Sequence, residues 1–331
     1  MSQPKVFLRS LQSNPDARVT EVWEGIRKSI IAGGGEVISD PAPDALWLTI
    51  FRGPEDVVAA PFGMNVAVYY HPLLPQPEWQ EALSAFDVVV VPSEAVAEHF
   101  RLAFPSRDFS VVAVAPPIDI GGLRGENHPT VSWLDEKSAD YRFYAVIPPH
   151  EVGAVYPLVL EFLREYRTDD AVSLTIRALS REGVEEAVEF AAGEIGGARS
   201  RHARVKLLFG PWNHRGQVAL AHWGDCCLCP WAGCWPPVEA SYALAAGNFV
   251  AAPAWSAGEC VTKRSGTLLN YEIDDSGCAV VDWGQVAAVM RIAAANGRRE
   301  RSLARSAADD ILCESGHFLG NVMSKLDVAP G

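Results

Sequence analysis

Residues 225–254 read DCCLCPWAGCWPPVEASYALAAGNFVAAPA, a pattern that predicts a strand, a loop, a helix, a glycine stop and a second strand. Pro236 and Pro237 suit the first turn of this helix because the N–H groups they lack have no partner there. Gly247 suits the end of the helix, where a left-handed residue is common. The loop 231–235 therefore leads into a helix N-terminus, whose unpaired N–H groups and positive dipole end favour an anion.

Short apolar strands alternate with amphipathic helices on both sides of this segment, which predicts parallel βαβ units. The alternation lapses between residues 117 and 140, where glycine, polar residues and turn formers predict a linker. We therefore predict an α/β chain with two Rossmann-like, doubly wound domains facing a central cleft. The first covers residues 1–135, the second covers 136–310, and a C-terminal helix in 311–331 packs back toward the first domain.

Composition and charge exclude several classes of function. The chain of 331 residues is 49% apolar and carries a net charge of −13, which disfavours nucleic acid and anionic membrane surfaces as partners. Its first residues lack the basic and apolar regions of a signal peptide, and its apolar runs are too short to cross a bilayer. Seven cysteines, an odd number, do not suggest a disulfide framework, so we expect a cytoplasmic protein.

The helix in the first segment carries an acidic residue, Glu239, in its first turn. A carboxylate there accepts hydrogen bonds from sugar or ribose hydroxyls, or it simply stabilises the helix N-terminus. The segment resembles the donor-site signature of retaining GT-B glycosyltransferases of the sucrose-synthase and glycogen-synthase-like group. Pro236 and Glu239 match the proline and the second glutamate of that signature. Trp231 stands in place of its first glutamate, and Ala232, Gly233 and Cys234 replace its Gly-aromatic-Gly stretch.

This resemblance implies a GT-B fold with a nucleoside-diphosphate sugar bound to the second domain. In the family the first glutamate is associated with the transferred sugar and the second with the nucleotide ribose. Trp231 either stacks on the sugar or fills a core gap, which is the commoner fate of tryptophan. The donor-binding residues that we predict from this segment are Glu239, Gly233, Cys234, Trp235 and Trp231.

Four further residues are donor candidates by position. Relatives carry a basic pair in the loop after the first strand of the second domain, but the loop here, IPPHEVGAVYP, offers only His150. Either His150, Arg177 at the next strand end, or the helix dipole alone must balance the phosphate charge. Asn213 and His214 follow the strand RVKLLFG, at the position where relatives often hold the base.

The first domain supplies the candidates for catalysis and acceptor binding. His71 ends the strand NVAVYYH, and in the family a histidine at this kind of position lies near the transferred sugar. We predict that His71 is the catalytic residue; the alternative is a histidine that is packed in the core or solvated. Arg9 and Ser10 follow the first strand, while Ser93 and Glu94 open a helix; all four are acceptor candidates, although the latter two also fit a helix cap.

Two other motifs predict no ligand. Cys226, Cys227, Cys229 and Cys234 invite a zinc interpretation, but three lie in a buried strand and a second ligand pair with proper spacing is absent from the sequence. We expect no structural metal. The triplet Gly33–Gly35 follows a helix and precedes a strand, so helix termination explains it better than phosphate binding.

Taken with the resemblance, these residues predict a transfer of a hexosyl or pentosyl group from a nucleoside-diphosphate sugar to an unidentified acceptor. The resemblance implies retention of the anomeric configuration. No cofactor is expected beyond the donor itself. Alternatives remain open: a catalytically degenerate GT-B protein that binds a nucleotide or a partner, an epimerase on the same fold, or a glycosyltransferase that modifies DNA bases, which fits the net charge poorly.

Overall fold

The computed structural model describes most of the chain: residues 4–9, 17–57, 62–71, 74–115, 117, 141–196, 203–211, 213–231, 233, 238–257, 261–274, 279–297 and 318–327. The predicted linker, from residue 118 onward, lies outside these residues. So do three of the candidate site residues, Ser10, Cys234 and Trp235.

Six strands and three helices make up the described part of the first domain. They are β1 (Lys5–Leu8), α1 (Ala17–Ala32), β2 (Glu36–Ile38), β3 (Leu46–Phe51), β4 (Asn65–Tyr69), α2 (Gln80–Leu83), β5 (Val88–Val91), α3 (Glu94–Ala103) and β6 (Ser110–Ala113).

The described elements that follow begin at residue 141. They are β7 (Tyr141–Val146), α4 (Val155–Glu165), β8 (Val172–Ala178), α5 (Val184–Glu194), β9 (Arg204–Phe209), α6 (His214–Trp223), β10 (Cys226–Leu228), α7 (Val238–Ala245), β11 (Phe249–Pro253), α8 (Ala254–Ala257), β12 (Gly266–Leu269), β13 (Tyr271–Ile273), β14 (Ala279–Val281), α9 (Trp283–Ala295) and α10 (Phe318–Asp327).

Each half of the chain builds one parallel sheet of six strands. The orders are β2-β1-β3-β4-β5-β6 and β12-β11-β10-β7-β8-β9. Parallel strands need crossover helices, which cover both faces and explain the continuous apolar runs such as Val88–Val91, every residue of which is buried. This confirms the prediction of two doubly wound α/β domains.

The direction of winding changes once in each sheet. In the first sheet it changes between β1 and β3, and in the second between β7 and β10, because β8 lies on one side of β7 while β11 lies beyond β10. In open α/β sheets ligands bind outside the carboxyl ends of the strands at this switch point. We therefore expect the residues after β7 and β10 to border a ligand site.

Glycines end two of the helices, as the sequence predicts. Gly34 adopts a φ of 80° after α1, and the N–H of Gly35 donates to Ile30 O at 2.9 Å. Gly247 adopts a φ of 77° after α7, and the N–H of Asn248 reaches back to Ala243 O at 2.8 Å. Left-handed backbone of this kind favours glycine. The glycine triplet thus terminates a helix and is not a phosphate loop.

The two halves meet at the carboxyl ends of β5 and β11. Ser93 follows β5 and is buried; its Oγ accepts the N–H of Val96 at 3.2 Å, and the hydroxyl donates to the carbonyl oxygen of Trp255. Trp255 follows β11 and packs with core residues of the first domain. The carboxyl ends of the two sheets are thereby joined, which is the arrangement that a ligand cleft between two Rossmann-like domains requires.

A second set of contacts joins the halves through helices. Tyr242 on α7 and Val218 on α6 belong to the same apolar cluster as Val112 of β6. At the far end of the chain, α10 packs on α1, where the N–H of Phe318 donates to Ser29 Oγ at 3.0 Å. The last described helix therefore crosses back onto the first domain.

Replacing Ser93 by alanine should destabilise the protein by about 1–2 kcal/mol, because the helix loses its N-cap and the two halves lose a buried hydrogen bond. Denaturant unfolding measures this change. Ser110→Ala provides the control, since Ser110 is exposed on β6; its effect should stay within about 0.5 kcal/mol. Equal stability of the two variants would contradict the role of Ser93.

Candidate functional site

A cavity of 580 Å³ opens at the carboxyl ends of β8 and β9, beside the first turn of α6. Two residues that the sequence singles out separately, Arg177 and Asn213, share its wall. The lining residues are Arg177, Leu208, Phe209, Gly210, Pro211, Asn213, Arg215 and Gly216.

Arg177 gives this cavity its buried cation. The residue is 7% exposed, and its Nη2 donates to the carbonyl oxygen of Pro211 at 2.8 Å. Burial lowers the pKa of the guanidinium below its ordinary value, yet arginine remains a cation in proteins. A buried cation beside an open cavity favours an anionic or carbonyl-bearing ligand because it offers a planar fork of donors.

Asn213 and His214 form the start of α6, against the same cavity. Asn213 is the N-cap, and its Oδ1 accepts the N–H of Gly216 at 2.7 Å. Glycine suits position 216 because a Cβ there would stand 3.1 Å from that oxygen. His214 Nδ1 lies 2.8 Å from the hydroxyl of Tyr242, which ties α6 to α7.

Glu239 is on the neighbouring helix α7, in its first turn. The side chain is 6% exposed, so the helix places a carboxylate in a largely buried position. Tyr242 follows three residues later and therefore shares a face with Glu239. The bond between Tyr242 and His214 thus links the helix of Glu239 to the cavity of Arg177 and Asn213.

The loops at the switch point of the second sheet are joined by a contact that the sequence analysis missed. Glu151, in the loop after β7, accepts the N–H of Gly233 in the loop after β10, with 3.0 Å between Oε1 and N. The Glu151 side chain is 11% exposed. Glu151 lies in the sequence IPPHEVGAVYP, in which only His150 was predicted to contact the donor.

The remaining donor candidates occupy two different environments. His150 precedes Glu151, is 32% exposed, and its Nε2 lies 3.9 Å from Glu151 Oε1. Trp231 is 7% exposed and belongs to the apolar core of the second domain. Of the two roles left open for Trp231, this burial favours core packing.

The candidates of the first domain are spread over its sheet. Arg9 follows β1 and its N–H donates to Leu48 O at 3.1 Å, which places it at the switch point of that sheet. His71 follows β4, partly buried, with its ring centroid 4.7 Å from that of Trp79 in an edge-on contact. Both lie at carboxyl ends of central strands.

Ser93 and Glu94 lie elsewhere. Ser93 is buried in the contact between the halves described above. Glu94 is exposed and pairs with Arg101, which also donates to the carbonyl oxygen of Val111 on the edge strand β6. Their local roles are a helix cap and a surface ion pair, and their acceptor role stays a prediction.

Among the described residues, no group of three or more histidine, cysteine or acidic side chains could hold a metal ion. Cys226, Cys227 and Cys229 are buried and form no disulfide. Burial raises the pKa of the Cys226 thiol well above its ordinary value, which disfavours the thiolate that a metal would need. In the same part of the chain, no helix has the length and apolar character to cross a membrane.

No protein-family model matches the chain, and no curated protein matches its sequence. Solved structures do match its fold over nearly the whole length. Sucrose-phosphate synthase from Thermosynechococcus elongatus is 13% identical, with 99% of this chain and 100% of that one covered and a TM-score of 0.60. HepE of Anabaena, in complex with UDP and glucose, is 14% identical, with 98% and 100% covered and a TM-score of 0.59.

A third match is AviGT4, a glycosyltransferase involved in avilamycin A biosynthesis. It is 13% identical, with 98% of this chain and 99% of that one covered and a TM-score of 0.54. The chain thus has the GT-B fold of glycosyltransferases, as the resemblance implied. At these identities the likeness establishes the fold alone.

Proposed function

We propose that the protein is a glycosyltransferase that moves a sugar from a nucleoside-diphosphate sugar, held by the second domain, to an acceptor held by the first. One observation carries the proposal: the cavity at the ends of β8 and β9 combines a buried arginine with the N-cap of α6, and α6 is bonded to the helix that carries Glu239. A nucleotide matches this arrangement, because its base fits a cavity, its phosphates are anions and its ribose hydroxyls need acceptors.

The chemistry of these residues indicates which part of the donor each of them binds. A base fits the cavity beside Asn213, with Arg177 as donor to a base carbonyl or a phosphate oxygen. The ribose hydroxyls donate to the carboxylate of Glu239, which has only acceptor oxygens. The diphosphate lies toward the start of α7, whose dipole favours negative charge. The donor role of His150, whose Nε2 lies 3.9 Å from Glu151 Oε1, stays a prediction.

Two solved neighbours guide the choice of probe. HepE of Anabaena is solved with UDP and glucose, and the pneumococcal O-GlcNAc transferase GtfA with UDP and GlcNAc. GtfA is 9% identical to this chain, with 80% of this chain and 53% of that one covered and a TM-score of 0.54. A uridine donor is therefore the first to test, with a hexose ahead of a pentose.

The reaction that we propose retains the anomeric configuration, as in the family that the donor segment resembles. The protein then acts mainly by orienting donor and acceptor and by stabilising the leaving diphosphate, so a general base is not required. His71 would lie near the transferred sugar. An inverting reaction would need a base, and His71 is the residue we would assign to it.

The proposal includes no bound cofactor and no metal, since the donor is a co-substrate. A reducing compartment suits Cys226, Cys227 and Cys229, which form no disulfide. We therefore propose that the protein works in the cytoplasm.

A thermal-shift screen against UDP, GDP, ADP, dTDP and their common sugars should raise the melting temperature with one base selectively, because ligands of the native state stabilise it. Arg177→Met should lose the shift. Arg291→Met is the matched control, since its side chain is 56% exposed on α9 and is not among the residues that line the cavity. A wild-type protein that responds to none of these nucleotides would overturn the proposal.

Turnover assays then separate the alternatives. Release of the diphosphate only when an acceptor is present supports transfer. Conversion of the sugar without an acceptor indicates an epimerase, and binding without any turnover indicates a degenerate GT-B protein. Dependence on DNA as acceptor would identify the base-modifying enzyme, in spite of the net charge of −13.

A further inference from the structure

The contact between Glu151 and Gly233 lies at the carboxyl ends of β7 and β10, the two central strands of the second sheet. β7 and β10 are neighbours, and the chain winds away from them in opposite directions. The described residues that follow their carboxyl ends therefore border the switch point, where ligands of doubly wound sheets bind. Glu151 and Gly233 belong to these two loops.

A carboxylate at this place changes what the loop after β10 can bind. The N–H of Gly233 donates to Glu151 Oε1, so one backbone donor of this loop already holds a negative charge. A phosphate group at Gly233 would meet a like charge and would have to displace the carboxylate. A neutral group that bears hydroxyls meets an acceptor instead.

Resting on the proposed function, we propose that Glu151 binds hydroxyl groups of the transferred sugar and is a specificity-determining residue of the donor site. A carboxylate has about four acceptor positions, so it can hold the amide of Gly233 and receive sugar hydroxyls at once. The N–H of Gly233 holds the carboxylate in place. The Glu151 side chain is 11% exposed, which limits competition from water. The diphosphate lies away from Gly233, toward α7.

The assignment also gives the sugar a carboxylate that the donor segment lacks. The residue in the position of the first family glutamate, Trp231, is packed in the core. Glu151 comes from a loop 82 residues earlier and reaches the same loop of the site. The sugar is thus recognised from the loop after β7, at the neighbouring strand end.

Isothermal titration with UDP and UDP-glucose, or with the pair that the screen selects, tests the proposal. The measured quantity is the ratio of the two dissociation constants, which isolates the sugar from the nucleotide. Glu151→Ala should lower affinity for the sugar nucleotide relative to the diphosphate by about tenfold, the loss of roughly one charge-assisted hydrogen bond. Its affinity for the diphosphate alone should stay equal or rise.

Two further variants distinguish the loss of a sugar contact from a change in loop structure. Glu151→Gln keeps an oxygen for the N–H of Gly233 and should lose less of the ratio than Glu151→Ala. Glu182→Ala is the matched control, since Glu182 is an exposed acidic residue in the loop after β8; its ratio should equal that of the wild type.

The outcomes are distinguishable from failure of the proposed function. If wild-type protein binds no nucleotide, the proposed function fails and Glu151 fails with it. If wild-type protein binds both probes but Glu151→Ala keeps the wild-type ratio, only the assignment of Glu151 is overturned. Equal losses for the diphosphate and the sugar nucleotide would also overturn it, because they would reduce Glu151 to a structural contact.

Discussion

Glu239→Ala should weaken binding of the nucleoside diphosphate by about 100-fold, because the carboxylate is proposed to accept two ribose hydroxyls and each such bond to a charged group contributes about 1.5 kcal/mol. The side chain is 6% exposed in the first turn of α7, so water would not replace it readily. Isothermal titration with the diphosphate that the screen selects measures the loss. Transfer should fall at least as far.

The matched control is Glu186→Ala. Glu186 is also acidic and lies in the first turn of a helix that follows a strand, α5, but it is exposed. Both variants lose a similar interaction with a helix dipole, about 0.3–1 kcal/mol at the surface, so the difference between them reports the ligand. If Glu239→Ala bound the diphosphate as tightly as Glu186→Ala, the donor site would not lie at α7.

The fold follows closely from local sequence signals. Runs such as Val88–Val91 predict buried parallel strands, and Gly34 and Gly247 end helices where the sequence places glycine after an amphipathic stretch. These signals act within one element, so they can be recognised without knowing the neighbours. The first turn of α7, with Glu239 in it, was predictable for the same reason.

The contacts of the site depend on which strands become neighbours. The 3.0 Å bond from Gly233 to Glu151 forms because β7 and β10 are adjacent, which no periodicity encodes. Periodicity likewise did not predict that Tyr242 would reach His214, since these residues are on different helices. Resemblance to a family directs attention to matching positions, and Glu151 matches none of them.

Trp255→Ala should destabilise the protein by about 3–5 kcal/mol, the usual cost of emptying the space of a fully buried tryptophan. The side chain is 0% exposed, and its ring centroid lies 4.9 Å from that of His99 and 5.5 Å from that of Tyr271. Its carbonyl oxygen also accepts the hydroxyl of Ser93. Denaturant unfolding, followed by fluorescence and circular dichroism, measures the loss.

Loss of the Trp255 side chain should also change the number of unfolding transitions. Its ring packs in the core of the first domain although the residue follows β11 of the second, so its loss weakens a contact through which the two halves stabilise each other. The two probes should then report separate transitions, which two-state unfolding forbids. Trp283→Ala, at the partly buried start of α9, should cost less and keep a single transition. A single transition in Trp255→Ala as well would show that the helix contacts of Tyr242 and Val218 suffice to couple the halves.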